Sequence, residues 1–247
     1  MIAMLGMYDM PAIRPANDRY WQAIRAHLGY GPAHLTRSGD HWDIWQAPDL
    51  LLAQTCGMPY RTRLHGHVGR VGTPDYGLPD CPPGYYYSCI VVRSDDDRAG
   101  LQDFAGSKFA YNDPHSQSGW AAPIHMANTL GLGFASHTET GGHAFSAQYV
   151  ADGRADIAGI DAVTWSLMQA NDPVAKNLKV IARTPPTPGL PYITALKNDT
   201  AGLARAVRLA IGNLPPNDRA ALHLHGFVDI PDDAYLCVPT PARPQAV

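Results

Sequence analysis

Apolar and polar positions fall into short blocks along the chain. IAMLGMY reads as a first strand. NDRYWQAIRAHLG then repeats its apolar residues at helical spacing, with Asn17 placed to cap it. DLLLAQT is continuously apolar, as suits a strand covered on both faces. VGRVGT predicts another strand, and YYYSCIVVR a long β-rich stretch. SKFAYN predicts a strand followed by the helix SGWAAPIHMANTLG, and GGHAFSAQYVADG a further helix. RADIAGI is a strand feeding the helix DAVTWSLMQAN, while LKVIART and YITALK read as extended. Residues 200–223 read as helical, with a break at Leu214-Pro215-Pro216. Strands alternating with helices predict an α/β fold with largely parallel sheets.

Two segments rich in Pro and Gly, GTPDYGLPDCPPG and TPPTPGLP, flank long extended stretches and isolate a middle block. The expected organisation is a discontinuous lobe one, residues 1–92 plus 186–247, with lobe two, residues 93–185, inserted into it. Two crossing strands would form the hinge.

Composition narrows the function classes. The 247 residues are 45% hydrophobic and 17% charged, enough to bury a sizeable core. A net charge of −3 and the absence of any Lys/Arg block argue against a nucleic-acid surface. No apolar run approaches the ~20 residues of a membrane-spanning helix. MIAMLGMYDM lacks the basic start of an export signal, so the expectation is a cytoplasmic chain or a mature form with a start Met. The four cysteines form no Cys-x-x-Cys pair and are expected as thiols, with Cys81 and Cys89 free to pair in an exported chain.

The stretch YNDPHSQSGW carries the most specific chemistry. It leaves a strand through Asn, Asp and Pro and sets two serines and a glycine where a helix begins. With Ser118 as N-cap, the capping-box position three residues on is Ala121, and no carboxylate occupies the turn. The first-turn N–H groups, the hydroxyls of Ser116 and Ser118 and the positive helix end then make an anion site, which Gly119 lets a ligand approach closely. An ordinary cap after an Asx turn explains the same residues without a ligand. Pro123 would leave the carbonyl of Gly119 without its helical partner, so an irregular start is expected.

Other candidates follow. In TETGGH, His143 falls in the first turn of a helix, where the helix end disfavours imidazolium and leaves a neutral ring. In GIDAVTW, Asp161 ends a strand and opens a helix, either facing a ligand amine or protonated oxygen, or capping the helix. In lobe one, Thr55 and Tyr60 lie at the end of DLLLAQT and just beyond, and Tyr8 closes the first strand. Each tyrosine is equally readable as core or rim. The His-x-His pairs 65/67 and 223/225 imply no third ligand, so no metal is expected. Gly131-x-Gly133 lacks the rest of a dinucleotide fingerprint.

With these motifs, YNDPHSQSGW, TGGHAFSAQYVADGRADIAGIDAVTW, LLLAQTCGMPY and RTPPTPGLPYIT, the chain resembles the phosphate/phosphonate ABC-transporter substrate-binding protein family. The resemblance implies a type II periplasmic-binding-protein fold of two α/β lobes joined by a two-strand hinge. It implies a non-enzymatic solute-binding protein that closes over a small phosphorus oxyanion (phosphate, phosphite or phosphonate) for ABC-type uptake. The family's mark, a Ser-x-Ser-Gly opening a helix and then a Gly-rich turn with His, falls on Ser116, Ser118, Gly119, Gly141, Gly142 and His143. With the candidates read from the residues, the expected ligand set is Ser116, Ser118, Gly119, His143 and Asp161 with Tyr8, Thr55 and Tyr60, and no cofactor or metal. The partners are the oxyanion and an ABC permease, and the location is periplasmic. The rival expectation is a cytoplasmic enzyme or ligand sensor on the same fold.

Overall fold

Twelve strands organise the chain in the computed structural model, which describes residues 1–244. In order they are β1 (Ile2–Met4), β2 (Leu50–Gln54), β3 (Val68–Asp75), β4 (Tyr85–Tyr86), β5 (Ser88–Arg93) and β6 (Lys108–Tyr111). They continue as β7 (Ser136–Glu139), β8 (Ile157–Asp161), β9 (Leu178–Arg183), β10 (Thr187–Pro188), β11 (Tyr192–Ala195) and β12 (Gly226–Val228). The chain divides into two compact units. The first is Met1–Tyr85 with Pro188–Leu236, and the second is Tyr86–Thr187 with the segment from Cys237 onward.

The first unit is built on a five-stranded sheet in the order β1-β2-β11-β3-β12. β1 and β2 run parallel, while β11 runs against both β2 and β3. Every residue of β2 is buried, as its unbroken apolar run requires. Helix Arg14–Leu28 sinks Tyr20, Trp21 and Ile24 into the core and ends at Gly29, whose φ of 78° supplies the left-handed cap. Asn17 is not its cap: the helix begins three residues earlier, and Asn17 is buried with its amide donating to Asp9 at 3.0 Å.

The second unit carries a sheet in the order β7-β6-β8-β5-β9. β6 is parallel to both β7 and β8, and β5 is antiparallel to β8 and β9. Its core gathers Ile90, Val92, Phe104, Phe109, Trp120 and Ile157. In each sheet, the strand through which the chain enters the unit, β5 or β11, runs against its parallel neighbours. The expectation of largely parallel sheets therefore holds only for the strands that feed helices.

The unit boundaries differ from those expected at 92/93 and 185/186. β5 belongs wholly to the second unit because it hydrogen-bonds β8 and β9 along its length. The chain also crosses a third time, after Leu236, which the sequence reading did not expect although Pro239, Pro241 and Pro244 follow it. The short strands β4 and β10 at the first two crossings pair with each other.

In the first unit the last helix, Asp232–Leu236, is pinned by polar bonds. Asp232 accepts from the Tyr60 hydroxyl at 2.8 Å and from Arg70 Nε at 2.6 Å. The Tyr235 hydroxyl pairs with Thr73 at 2.6 Å, and its ring meets Tyr60 edge-on at 5.2 Å. Removing the Tyr60 hydroxyl leaves Asp232 with its arginine, so Tyr60→Phe is expected to cost about 1 kcal/mol. Denaturant melts check this. An unchanged midpoint would take Tyr60 out of this structural role.

Candidate functional site

Three neighbouring parallel strands of the second unit, β7, β6 and β8, each run into a helix at their carboxyl ends. Such an edge collects helix N-termini, where backbone N–H groups and the helix dipole favour negative charge. The helices begin after Gly142, Ser116 and Asp161.

After β6, Asp113 Oδ1 accepts from the His115 N–H at 2.6 Å, and the Asp113 carbonyl accepts from the Ser116 N–H at 3.0 Å. This turn delivers Ser116 in extended geometry as the N-cap, its hydroxyl accepting from the Gly119 N–H at 2.9 Å. The cap is therefore Ser116, not Ser118. The helix then opens with one wide π turn, Gln117–Ala121, before regular α-helix over Ala122–Thr129. Pro123 explains the wide turn. It stands at the start of the regular helix, where its missing N–H leaves the Gly119 carbonyl without its usual helical donor.

Displacing the cap by two residues frees Ser118. Its hydroxyl pairs with His143 Nε2 at 2.9 Å and lies 3.5 Å from the Ser116 hydroxyl. His143 is the first residue of helix His143–Ala151, whose N-cap Gly142 offers no side chain. One hydrogen bond thus joins two helix N-termini, and neither carries an acidic residue in its first turn. Backbone bonds from Thr140 to Tyr111 (2.9 Å) and from Gly141 to Asn112 (3.0 Å) continue the β6–β7 pairing up to the site. The Thr140 hydroxyl, 2.7 Å from that of Ser146, ties the glycine turn to the helix that follows. Sequence reasoning gave Thr140 and Asn112 no role, although both lie within the motifs it singled out.

Close approach explains two glycines. A Cβ on Gly159 of β8 would lie 2.4 Å from Pro123 and 3.0 Å from the Ser118 carbonyl. The serine turn therefore rests directly on the strand. A Cβ on Gly119 would lie 1.7 Å from the Asn112 side-chain oxygen. This corrects the expectation that Gly119 opens its backbone to a ligand: Asn112 fills that space, and Ser116 takes the Gly119 N–H.

Asp161 is 2% exposed, and its Oδ1 accepts from the N–H groups of Val163 and Thr164 at 2.8 and 3.0 Å. The third helix end is thereby capped by a carboxylate, whereas the other two are capped by a hydroxyl and a glycine.

The first-unit candidates lie apart from this cluster in sequence and role. Tyr60 is 1% exposed, with its hydroxyl given to Asp232. That places it in the core of the first unit and corrects its reading as a ligand contact. Thr55 is fully buried, just past β2. Tyr8 ends not a strand but a 3-10 turn, Gly6–Tyr8, and meets Tyr76 edge-on at 5.0 Å.

Residues 66–235, more than half of the chain, match the family described as "ABC transporter, phosphonate, periplasmic substrate-binding protein". The chain belongs to this phosphonate-binding family. Solved structures agree in fold. A binding-protein component of an ABC phosphonate transporter from Pseudomonas aeruginosa aligns over 95% of this chain and 82% of its own, with a TM-score of 0.72 at 17% identity. PhnD1 from Prochlorococcus marinus, in complex with methylphosphonate, aligns over 95% and 94%, with a TM-score of 0.73 at 14% identity. A histidine kinase sensor domain with similarity to periplasmic binding proteins aligns over 93% and 98%, with a TM-score of 0.59 at 19% identity. No curated protein sequence matches the chain significantly. Among the described residues of this family member, no helix is long and apolar enough to cross a membrane, and no three His, Cys, Asp or Glu side chains form a metal cluster.

His143 sets the electrostatics of the site. Burial lowers its pKa from 6.5 to about 4, against a smaller opposing pull from the Gly159 backbone. The residue is partly exposed, yet its ring atom Nδ1 is sealed from solvent and meets no partner at good hydrogen-bond geometry, the Gly159 backbone giving only a weak contact to the ring. The ring is therefore neutral at pH 7. The unfolded ring binds a proton below pH 6.5 while the folded one does not until about pH 4. Stability is thus expected to fall with pH through that window and level off below it. The contribution is about 2–3 kcal/mol at most. His143→Gln should remove this component, seen as a flatter difference in melting midpoint between pH 7 and 4.5. An identical pH dependence in the variant would show that His143 is not buried as a neutral ring.

Proposed function

We propose that this protein is a solute-binding protein that takes a small phosphorus oxyanion (phosphate, phosphite or a phosphonate) at the Ser116–Ser118–His143 cluster and delivers it to an ABC permease. The observation that carries this reading is the Ser118–His143 hydrogen bond, which brings two helix N-termini free of carboxylates to one point. Hydroxyls, N–H groups and a neutral imidazole at such a point compensate an anion without a metal. Family membership supports the solute class and a periplasmic location. The solved relative that holds methylphosphonate supports the phosphonate branch.

We assign Ser116 two roles, capping the helix and contacting the ligand, and Ser118 one, contacting the ligand while bonded to His143. Asp161 we assign to its cap, with any effect on ligand choice arising through the helix it starts. The likeness in fold to a histidine kinase sensor domain supports a second reading, in which the same binding event signals to a partner instead of feeding a permease.

Thermal melts with phosphate, phosphite, methylphosphonate and aminoethylphosphonate test the solute class. A ligand at a hundred times its Kd stabilises by about 2.7 kcal/mol. Ser118→Ala removes a charge-assisted bond and should weaken the best ligand about ten- to hundredfold. Ser116→Ala should also lower stability by about 1 kcal/mol, as loss of a serine cap does. Stabilisation by a sugar or carboxylate, with no response to any phosphorus oxyanion, would overturn the assignment.

A further inference from the structure

The residues after 235 lie outside the stretch matched by the family, yet Ala242 bonds the turn that carries Ser118. The chain leaves the first unit at Leu236 and joins the second from Cys237 onward. There the Ala242 carbonyl accepts from the indole N–H of Trp120 at 3.0 Å. Trp120 belongs to the π turn that carries Ser118. Its own N–H and that of Ala121 both return to the Ser116 carbonyl, at 3.3 and 2.9 Å. Trp120 is 2% exposed, and its ring packs against Tyr111 at 4.9 Å and His137 at 5.0 Å. An indole N–H buried this deeply requires an acceptor, and the C-terminal segment supplies it.

We propose that residues 237–244 form a positioning element of the oxyanion site, holding the serine turn in register through the Ala242–Trp120 hydrogen bond. The wide turn makes such a support necessary. A π turn is less regular than α-helix, and Ser118 must stay within hydrogen-bonding reach of His143 on another helix. Trp120 fixes the turn from its inner side, and the Ala242 carbonyl fixes the rotation of Trp120. The segment's near end is equally well anchored, because helix Asp232–Leu236 is held in the first unit through Asp232 and Tyr235.

The affinity part of this inference rests on the proposed oxyanion reading, so the test has two arms. Trp120→Phe in the full chain keeps the ring and deletes the N–H. A second protein ends after Leu236, and a third combines both changes. Hydrogen exchange is followed at the amides of Trp120 and Ala121, with the β8 amides as internal reference. Calorimetry with methylphosphonate and with inorganic phosphate reads affinity. The expected result is exchange about tenfold faster at Trp120 and Ala121 in both single variants with β8 unchanged, and affinity about tenfold weaker. The combined protein should be no worse than the shortened chain alone, because the shortened chain already lacks the Ala242 acceptor. Unchanged exchange at the two amides in Trp120→Phe overturns the proposal even if the shortened chain does not fold. Losses that multiply in the combined protein also overturn it. Failure of the full chain to bind either anion would instead sink the oxyanion reading, and the exchange arm would still decide the role of the segment.

Discussion

The 2.9 Å hydrogen bond between Ser118 and His143 is the constraint on which the second unit's chemistry depends. It requires two helices, started by two adjacent strands, to place their first turns within reach of one another. The parallel pairing of β6 with β7 brings the strand ends together, and the backbone bonds from Thr140 and Gly141 extend that pairing into the loops. Gly159 lets the serine turn settle onto β8, since a Cβ there would meet Pro123 and the Ser118 carbonyl. Each of these features serves the same distance.

The electrostatic consequence is two helix N-termini whose first turns carry no acidic residue. Helix ends concentrate partial positive charge, and a carboxylate at the cap would cancel it. Asp161 does so at the third helix, whereas Ser116 and Gly142 leave the other two open. Burial keeps His143 neutral. A neutral ring can act as donor or acceptor towards the ligand or Ser118, and it avoids the desolvation cost of a buried imidazolium.

Much of this was readable in advance, for definite reasons. The strand-to-helix blocks from SKFAYN to DAVTWSLMQAN all formed, because each carries its own apolar period and turn residues. The pairing of Ser116 and Ser118 with a histidine in a glycine turn was visible as residue types. Which serine caps was not, because Pro123 shifts the helix start by forcing a π turn and the cap follows that start. Gly119 misled for a similar reason. A glycine at a helix start permits a ligand or a neighbouring side chain equally, and only the fold shows that Asn112 occupies the space. Tyr60 and Asn17 were misplaced because their partners, Asp232 and Asp9, are chosen by tertiary structure. The third crossing after Leu236 was missed although Pro239, Pro241 and Pro244 follow it, since prolines near a chain end do not say which unit the segment joins, and a single indole bond to Ala242 carries no periodicity.

The central claim is that an anion docks against a neutral His143 joined to Ser118. Nitrogen NMR of the histidine-labelled protein tests it most directly, with the His143→Gln variant assigning the resonances. The account predicts a neutral His143 ring at pH 7 whose two nitrogen signals shift on saturation with methylphosphonate or phosphate, while the distant histidines stay in place. A His143 that titrates near its ordinary pH, or whose signals ignore every phosphorus oxyanion that binds, would contradict it.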